Sequence, residues 1–173
     1  MRSAKPYTNA TFTHRVDHEA GRHRPARAPA EPRVCGGCGA VYRRRRWVTA
    51  KTAGPLPILV DGEPAPVTTC PACRKIAAHV ANGYLYLSGA FLVAHRDEIE
   101  RLVRAEAARA GEDNPTARLM AWEHIPEGPL VVTTTTEHLA ERLGQALEKA
   151  YDGDVRYDFS HENKLARVYW HRD

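Results

Sequence analysis

The four cysteines of this 173-residue chain fall into two C-x-x-C pairs, Cys35/Cys38 and Cys70/Cys73, with 31 residues between them and none left over. A two-residue spacer lets both sulfurs of a pair converge on one ion, and four thiolates satisfy tetrahedral zinc without any other ligand. Gly36, Gly37 and Gly39 let the first knuckle turn tightly, and Pro71 sits at the bend of the second. A module of about 40 residues is too small to fold on its own core, so metal binding would supply its folding energy. A closed four-cysteine site leaves no open position for substrate, and one structural Zn2+ is therefore expected. A thiol–disulfide protein is the competing chemistry, but such a motif normally occurs singly at a helix start. Structural disulfides are disfavoured in a reducing compartment.

The segment joining the knuckles is strongly basic. Arg43, Arg44, Arg45 and Arg46 run into Trp47, Lys51 follows, and Arg74 and Lys75 leave the second knuckle. If both knuckles meet at one ion, these eight residues form one positive surface. Arginine bonds phosphate bidentately and an aromatic ring stacks on bases, the combination that RNA binding uses. Four consecutive arginines repel one another unless an anion relieves them. An apolar stretch at 58–60 followed by Asp61-Gly62 predicts a small hairpin before the second knuckle.

Charge is distributed in the same sense. Residues 1–33 carry seven Lys+Arg against three Asp+Glu, residues 34–75 seven against two, and residues 76–173 eleven against sixteen. A basic N-terminal half beside an acidic remainder points to an anionic partner. Residues 1–33 mix arginine, proline and His14, His18 and His23 with little apolar content, and are expected to be a disordered basic tail. The chain has no apolar run near the ~20 residues of a membrane span and no secretory h-region, so a cytoplasmic protein is expected.

From residue 81 the pattern alternates strands and helices. Strand-like runs at 84–87, 119–122, 130–135, 155–159 and 165–170 surround helices predicted over 91–110 and from Leu139 to Ala150. The second helix has its apolar residues on one stripe, Thr136 or Thr134 as cap and Gly153 beyond its end. The order is that of a ferredoxin-like βαββαβ sandwich plus one strand. The expected organisation is therefore α+β: a tail (1–33), a zinc ribbon (34–80) and a ferredoxin-like domain (81–173). Tyr84 and Tyr86 share one strand face, and structural packing or a protein contact is expected of them. The cluster of Asp158, Ser160, His161 and Glu162 is expected to be a solvated turn, and no phosphate-cradling or nucleophile motif is present, so no enzyme is expected.

The two knuckles, the run from Gly83-Tyr84 to Ser88-Gly89, His95-Arg96-Asp97-Glu98-Ile99, the threonines at 133–136 and Ala150-Tyr151-Asp152-Gly153 resemble a group of bacterial zinc-ribbon proteins. More remotely, the layout resembles the N-terminal part of the nonsense-mediated-decay adaptor family, which accompanies the large ribosomal subunit during export. That family has more cysteines than this chain, which would keep a single metal site. The resemblance implies association with RNA or the ribosome. A protein–protein adaptor, with the arginines meeting an acidic surface, is the alternative partner class.

Overall fold

The computed structural model describes residues 31–55, 64–160 and 164–173. The expected disordered tail, apart from residues 31–33, lies outside the described residues. So do the hairpin predicted at Asp61-Gly62, with the apolar stretch before it, and His161 and Glu162 of the predicted turn. Among the described residues there are two sheets and five helices, a mixed α+β fold.

The cysteine segment forms the first sheet. Its strands are β1 (Arg33–Cys35), β2 (Val41–Arg43), β3 (Arg46–Val48) and β4 (Val67–Thr68), in the order β3-β2-β1-β4. Arg33 is already in β1, so the end of the stretch expected to be tail is strand. A short helix α1 (Ala50–Ala53) follows β3, with Thr49 accepting from the Thr52 N–H as its cap. Helix α2 (Pro71–Ala77) begins at the second knuckle.

The second sheet contains β5 (Gly83–Ser88), β6 (Leu119–His124), β7 (Leu130–Thr134), β8 (Asp154–Ser160) and β9 (Leu165–His171), in the order β6-β7-β5-β9-β8. The helices of this half are α3 (Ala90–Ala94), α4 (Arg96–Asp113) and α5 (Glu137–Tyr151). The predicted helix over 91–110 is two helices, broken where His95 leaves helical backbone at φ −121°. Gly111 does not stop α4, which runs on to Asp113 before Asn114 turns extended.

The sequence of elements is the expected one, but the pairing is not that of a four-stranded ferredoxin-like sandwich. There the first and fourth strands pair directly. Here β9 lies between them, parallel to β5 and antiparallel to β8. In β9 Ala166, Val168 and Trp170 are fully buried on the face under the helices, as suits an interior strand. In β8 Asp154, Arg156 and Asp158 are exposed, which suits an edge.

The core is the layer between this sheet and the helices. Leu85, Leu87, Val132, Val168 and Trp170 meet Ile99 and Val103 of α4 and Leu139, Leu143 and Leu147 of α5. Each such side chain contributes about 1.5–3 kcal/mol relative to exposure. Arg142 ties the two long helices together through Glu106 at 3.3 Å and Asp113 at 3.6 Å. None of the helices among the described residues is long and apolar enough to cross a membrane.

Candidate metal centre and arginine hairpin

Each cysteine reaches the site through a different device. Strand β1 delivers Cys35, and the chain then turns so that the Gly39 N–H reaches the Cys35 carbonyl at 2.8 Å. Gly39 adopts φ 72°, which a side chain would oppose. Gly37 has a different reason to be glycine: a Cβ there would lie 3.1 Å from Cys73 Sγ. Parallel pairing of β1 with β4 sets Cys35 beside Thr68 and brings the chain to Cys70. Cys70 then caps α2, its sulfur accepting from the Cys73 N–H at 3.4 Å, with Pro71 in the first turn.

The result is one cluster. All four sulfurs lie within 4.8 Å of one another. Cys38 Sγ and Cys70 Sγ are 3.7 Å apart. Two thiolates on one tetrahedral zinc, each about 2.3 Å from it, sit about 3.8 Å apart, whereas a disulfide needs about 2.05 Å. The four thiols are free. Cys35 and Cys70 are buried, while Cys38 is exposed.

The electrostatics also fit a cation. Burial raises the Cys35 thiol, but N–H donors from Cys70, Gly37 and Cys38 outweigh it and bring that pKa to about 6. Burial, with the Cys73 and Cys35 sulfurs adding to it, pushes Cys70 well above the ordinary thiol range. Cys73 is raised as well, mainly by burial and by the Cys35 and Cys38 sulfurs. Four sulfurs this close resist becoming thiolates together unless a positive ion stands among them. The donor set therefore suits a soft divalent metal, held by Cys35, Cys38, Cys70 and Cys73.

A fifth contact was not legible in the sequence. Arg118, 45 residues beyond Cys73, donates from Nη1 to Cys73 Sγ at 3.4 Å. Its backbone N–H is held by Thr135 Oγ1 at 2.8 Å. Nearby, Lys75 Nζ donates to the Thr135 carbonyl at 2.7 Å. Together these bonds seat the cysteine cluster on the end of the second sheet. No local pattern marks Arg118, because its partner is supplied by tertiary structure.

The expected basic surface is divided. Arg44, Arg45 and Arg46 are exposed at the β2–β3 hairpin, and Lys51 is exposed on α1. Arg43 is half-buried and donates from Nη1 to the Ala53 carbonyl at 2.9 Å. Arg74 is half-buried, its Nε enclosed without a hydrogen-bond partner. Lys75 is engaged with Thr135, and burial lowers its pKa. Trp47 packs on the cysteine cluster and against the Tyr42 ring at 5.3 Å, so its indole belongs largely to the ribbon's own small core.

The hairpin tip has unusual backbone. Arg43 pairs with Arg46, leaving Arg44 and Arg45 as a two-residue turn at φ 51° and 61°. A type I′ turn requires positive φ at both positions and normally uses Asn-Gly. Two arginines there cost about 1 kcal/mol or more each. Glu31 offsets part of that, its carboxylate accepting from the Arg44 N–H at 2.7 Å and the Arg45 N–H at 2.5 Å.

Two further groups on the second sheet bear on function. Tyr84 stacks on Tyr86 at 6.3 Å, Tyr86 on Tyr169 at 4.8 Å, and the Arg156 guanidinium covers Tyr169 at 4.5 Å. These rings occupy one another's faces and form a cross-strand ladder. Ser88, His171 and Asp173 are linked in a chain, Ser88 Oγ to His171 Nδ1 at 3.0 Å and His171 Nε2 to Asp173 at 3.2 Å. The backbone N–H of Ala90 beside them is bonded to Asp173, and that of Phe91 to the Arg172 carbonyl. A scan of protein-family models, a search of curated proteins and a search of solved structures each found no match to this chain.

Proposed function

We propose that the chain is a non-enzymatic, zinc-stabilised protein that associates with RNA or the ribosome through the basic hairpin of its ribbon. The observation that carries this reading is the exposure of Arg44, Arg45 and Arg46 on a hairpin whose base rests on the cysteine cluster. Zinc is the metal proposed, because a tetrathiolate cluster matches its preferred ligand set and closes the site to substrate. The metal's part is structural: it holds both knuckles, and so holds the hairpin out from the ribbon. Lys51 extends the same positive region. The basic residues at 1–30 would add affinity without sequence preference. The likeness of the knuckles to ribosomal-subunit adaptors points the same way.

Each phosphate neutralised by the protein releases counterions, so binding should weaken steeply with salt. Replacing Arg44, Arg45 and Arg46 together by Ala is expected to lower the slope of log affinity against log salt by about two for single-stranded RNA, roughly 0.7 per contact. An unchanged slope would remove the hairpin from the function. Copurification before and after RNase treatment identifies the partner class, since partners that survive digestion would reassign the hairpin to an acidic protein surface.

The redox reading has one point of support, the second pair's place at a helix start, set against the raised pKa of both its thiols. Metal analysis decides between them. One equivalent of tightly held zinc supports the ribbon, and metal-free protein with two rapidly alkylated thiols supports redox chemistry.

A further inference from the structure

The tip of the arginine hairpin offers more than charge. Two successive backbone N–H groups, from Arg44 and Arg45, converge on the two oxygens of one carboxylate, that of Glu31. Successive amides that converge in this way form a nest, a small concavity of positive potential that binds oxyanions. The turn that aims them requires left-handed backbone at two arginines, φ 51° and 61°, where Asn-Gly would be less strained. What arginine adds at these positions is guanidinium groups carried by the same turn, and the side chains of Arg44, Arg45 and Arg46 are exposed. Glu31 is itself exposed, so its carboxylate sits in the nest without being enclosed there.

A carboxylate and a phosphate present the same feature to such amides, two anionic oxygens a little over 2 Å apart. The phosphate adds further oxygens for guanidinium forks. We propose that the Arg44–Arg45 turn is a phosphate-binding nest, and that Glu31 occupies it as an internal competitor until a phosphodiester displaces it. The inference rests on the RNA-binding reading for the identity of its ligand, though not for the existence of the site. It assigns different roles to the basic residues: backbone N–H groups of the turn grip one phosphate, and the arginine side chains hold it and its neighbours. It also makes the free protein self-blocked, so that weak or nonspecific anions meet Glu31 first.

The test uses the full-length, metal-loaded protein, isotopically labelled, as wild type and as Glu31→Gln. Inorganic phosphate and a single-stranded oligouridylate are titrated separately while the Arg44 and Arg45 amide resonances are followed. Both amides should shift with either probe. The midpoints should fall by about threefold to tenfold in Glu31→Gln, because apparent affinity scales with the fraction of protein whose site is open. Glu112→Gln, which removes an exposed carboxylate at the far end of a helix, should leave them where they were. In wild type the Glu31 carboxyl carbon should move toward its free value as either probe saturates, a readout that needs no variant.

If phosphate and RNA leave both amides unmoved in Glu31→Gln, or if the midpoints match wild type, the nest is overturned. RNA binding by another part of the basic surface would survive that result. If phosphate shifts both amides with the expected gain while neither protein binds RNA, the nest stands with free phosphate as its ligand, and the RNA reading fails.

Discussion

Tyr157 and Arg118 show how differently two polar groups can be treated by one fold. The Tyr157 hydroxyl is enclosed with no hydrogen-bond partner, and burial, with Glu148 and Glu141 nearby, pushes its pKa up to about 12. The folded state thus keeps its proton where an unfolded tyrosine, near 10, has begun to lose it. This group costs the fold no pH-dependent stability below about pH 10, and stability declines through it as pH rises towards 12. Tyr157→Phe is expected to be neutral or stabilising by up to about 1 kcal/mol at pH 7, since a desolvated hydroxyl without a partner contributes nothing. It should also remove part of the alkaline loss of stability. Urea denaturation at pH 7 and pH 10.5 checks both, and a loss above about 1 kcal/mol at neutral pH would mean the hydroxyl has a partner.

Arg118 is the contrasting case, a cation with a specific anionic partner. Four thiolates around a divalent ion carry a net charge of about −2, and an N–H donor to one sulfur spreads it. Arg118→Gln is expected to weaken metal affinity by about tenfold to a hundredfold, the range for outer-sphere partners of metal ligands. Competition with a chromogenic chelator measures it. Arg118→Lys should fall between, because a lysine keeps the charge without the planar fork.

At the scale of elements, α5 carries the clearest correspondence between pattern and packing. Leu139, Leu143 and Leu147 are fully buried, Thr136 caps the helix by accepting from the Leu139 N–H at 3.3 Å, and the helix closes at Tyr151. Leu143→Ala should cost about 2–5 kcal/mol and Thr136→Ala about 1 kcal/mol, read as shifts in the chemical-denaturation midpoint. A Leu143 cost under 1 kcal/mol would mean that the layer under α5 collapses easily around the missing side chain. Helix α4 was less legible. Its apolar spacing from Ile99 to Ala110 announced a helix, yet neither the break at His95 nor the run past Gly111 followed from periodicity. What tertiary contacts do fix is the start of α3, where the Ala90 N–H is held by Asp173 and the Phe91 N–H by the Arg172 carbonyl.

At the scale of the whole molecule, the two sheets have separate cores, one around the cysteines and one between sheet and helices. Removing the metal is therefore expected to loosen residues 31–80 while the second core persists. Hydrogen exchange after chelation should show lost protection in β1–β3 and retained protection at Leu85, Val132 and Val168. The amides of Arg118 and Thr135 should lose protection with the ribbon, because their neighbourhood is bonded to Cys73 and Lys75. Cooperative loss of the entire fold on chelation would show instead that the second sheet depends on the metal.

The paired cysteines announced their cluster, because soft ligands at two-residue spacing have few other uses. Strands and helices of the second half were legible to within a few residues, because burial of one face imposes a period of two or 3.6 on the chain. Neither kind of signal contains strand order, and the insertion of β9 between β5 and β8, with β8 at the edge, was decided by tertiary packing. The division of the basic residues was decided in the same way. Arginine and lysine look alike along a chain, but Lys75 lies beside a buried carbonyl and Arg44 at a solvent-facing turn, and only folding sets those surroundings. Local composition thus determined which elements this protein has and which four cysteines cluster. Long-range contacts, unspecified by any local period, determined which charges remain free to act.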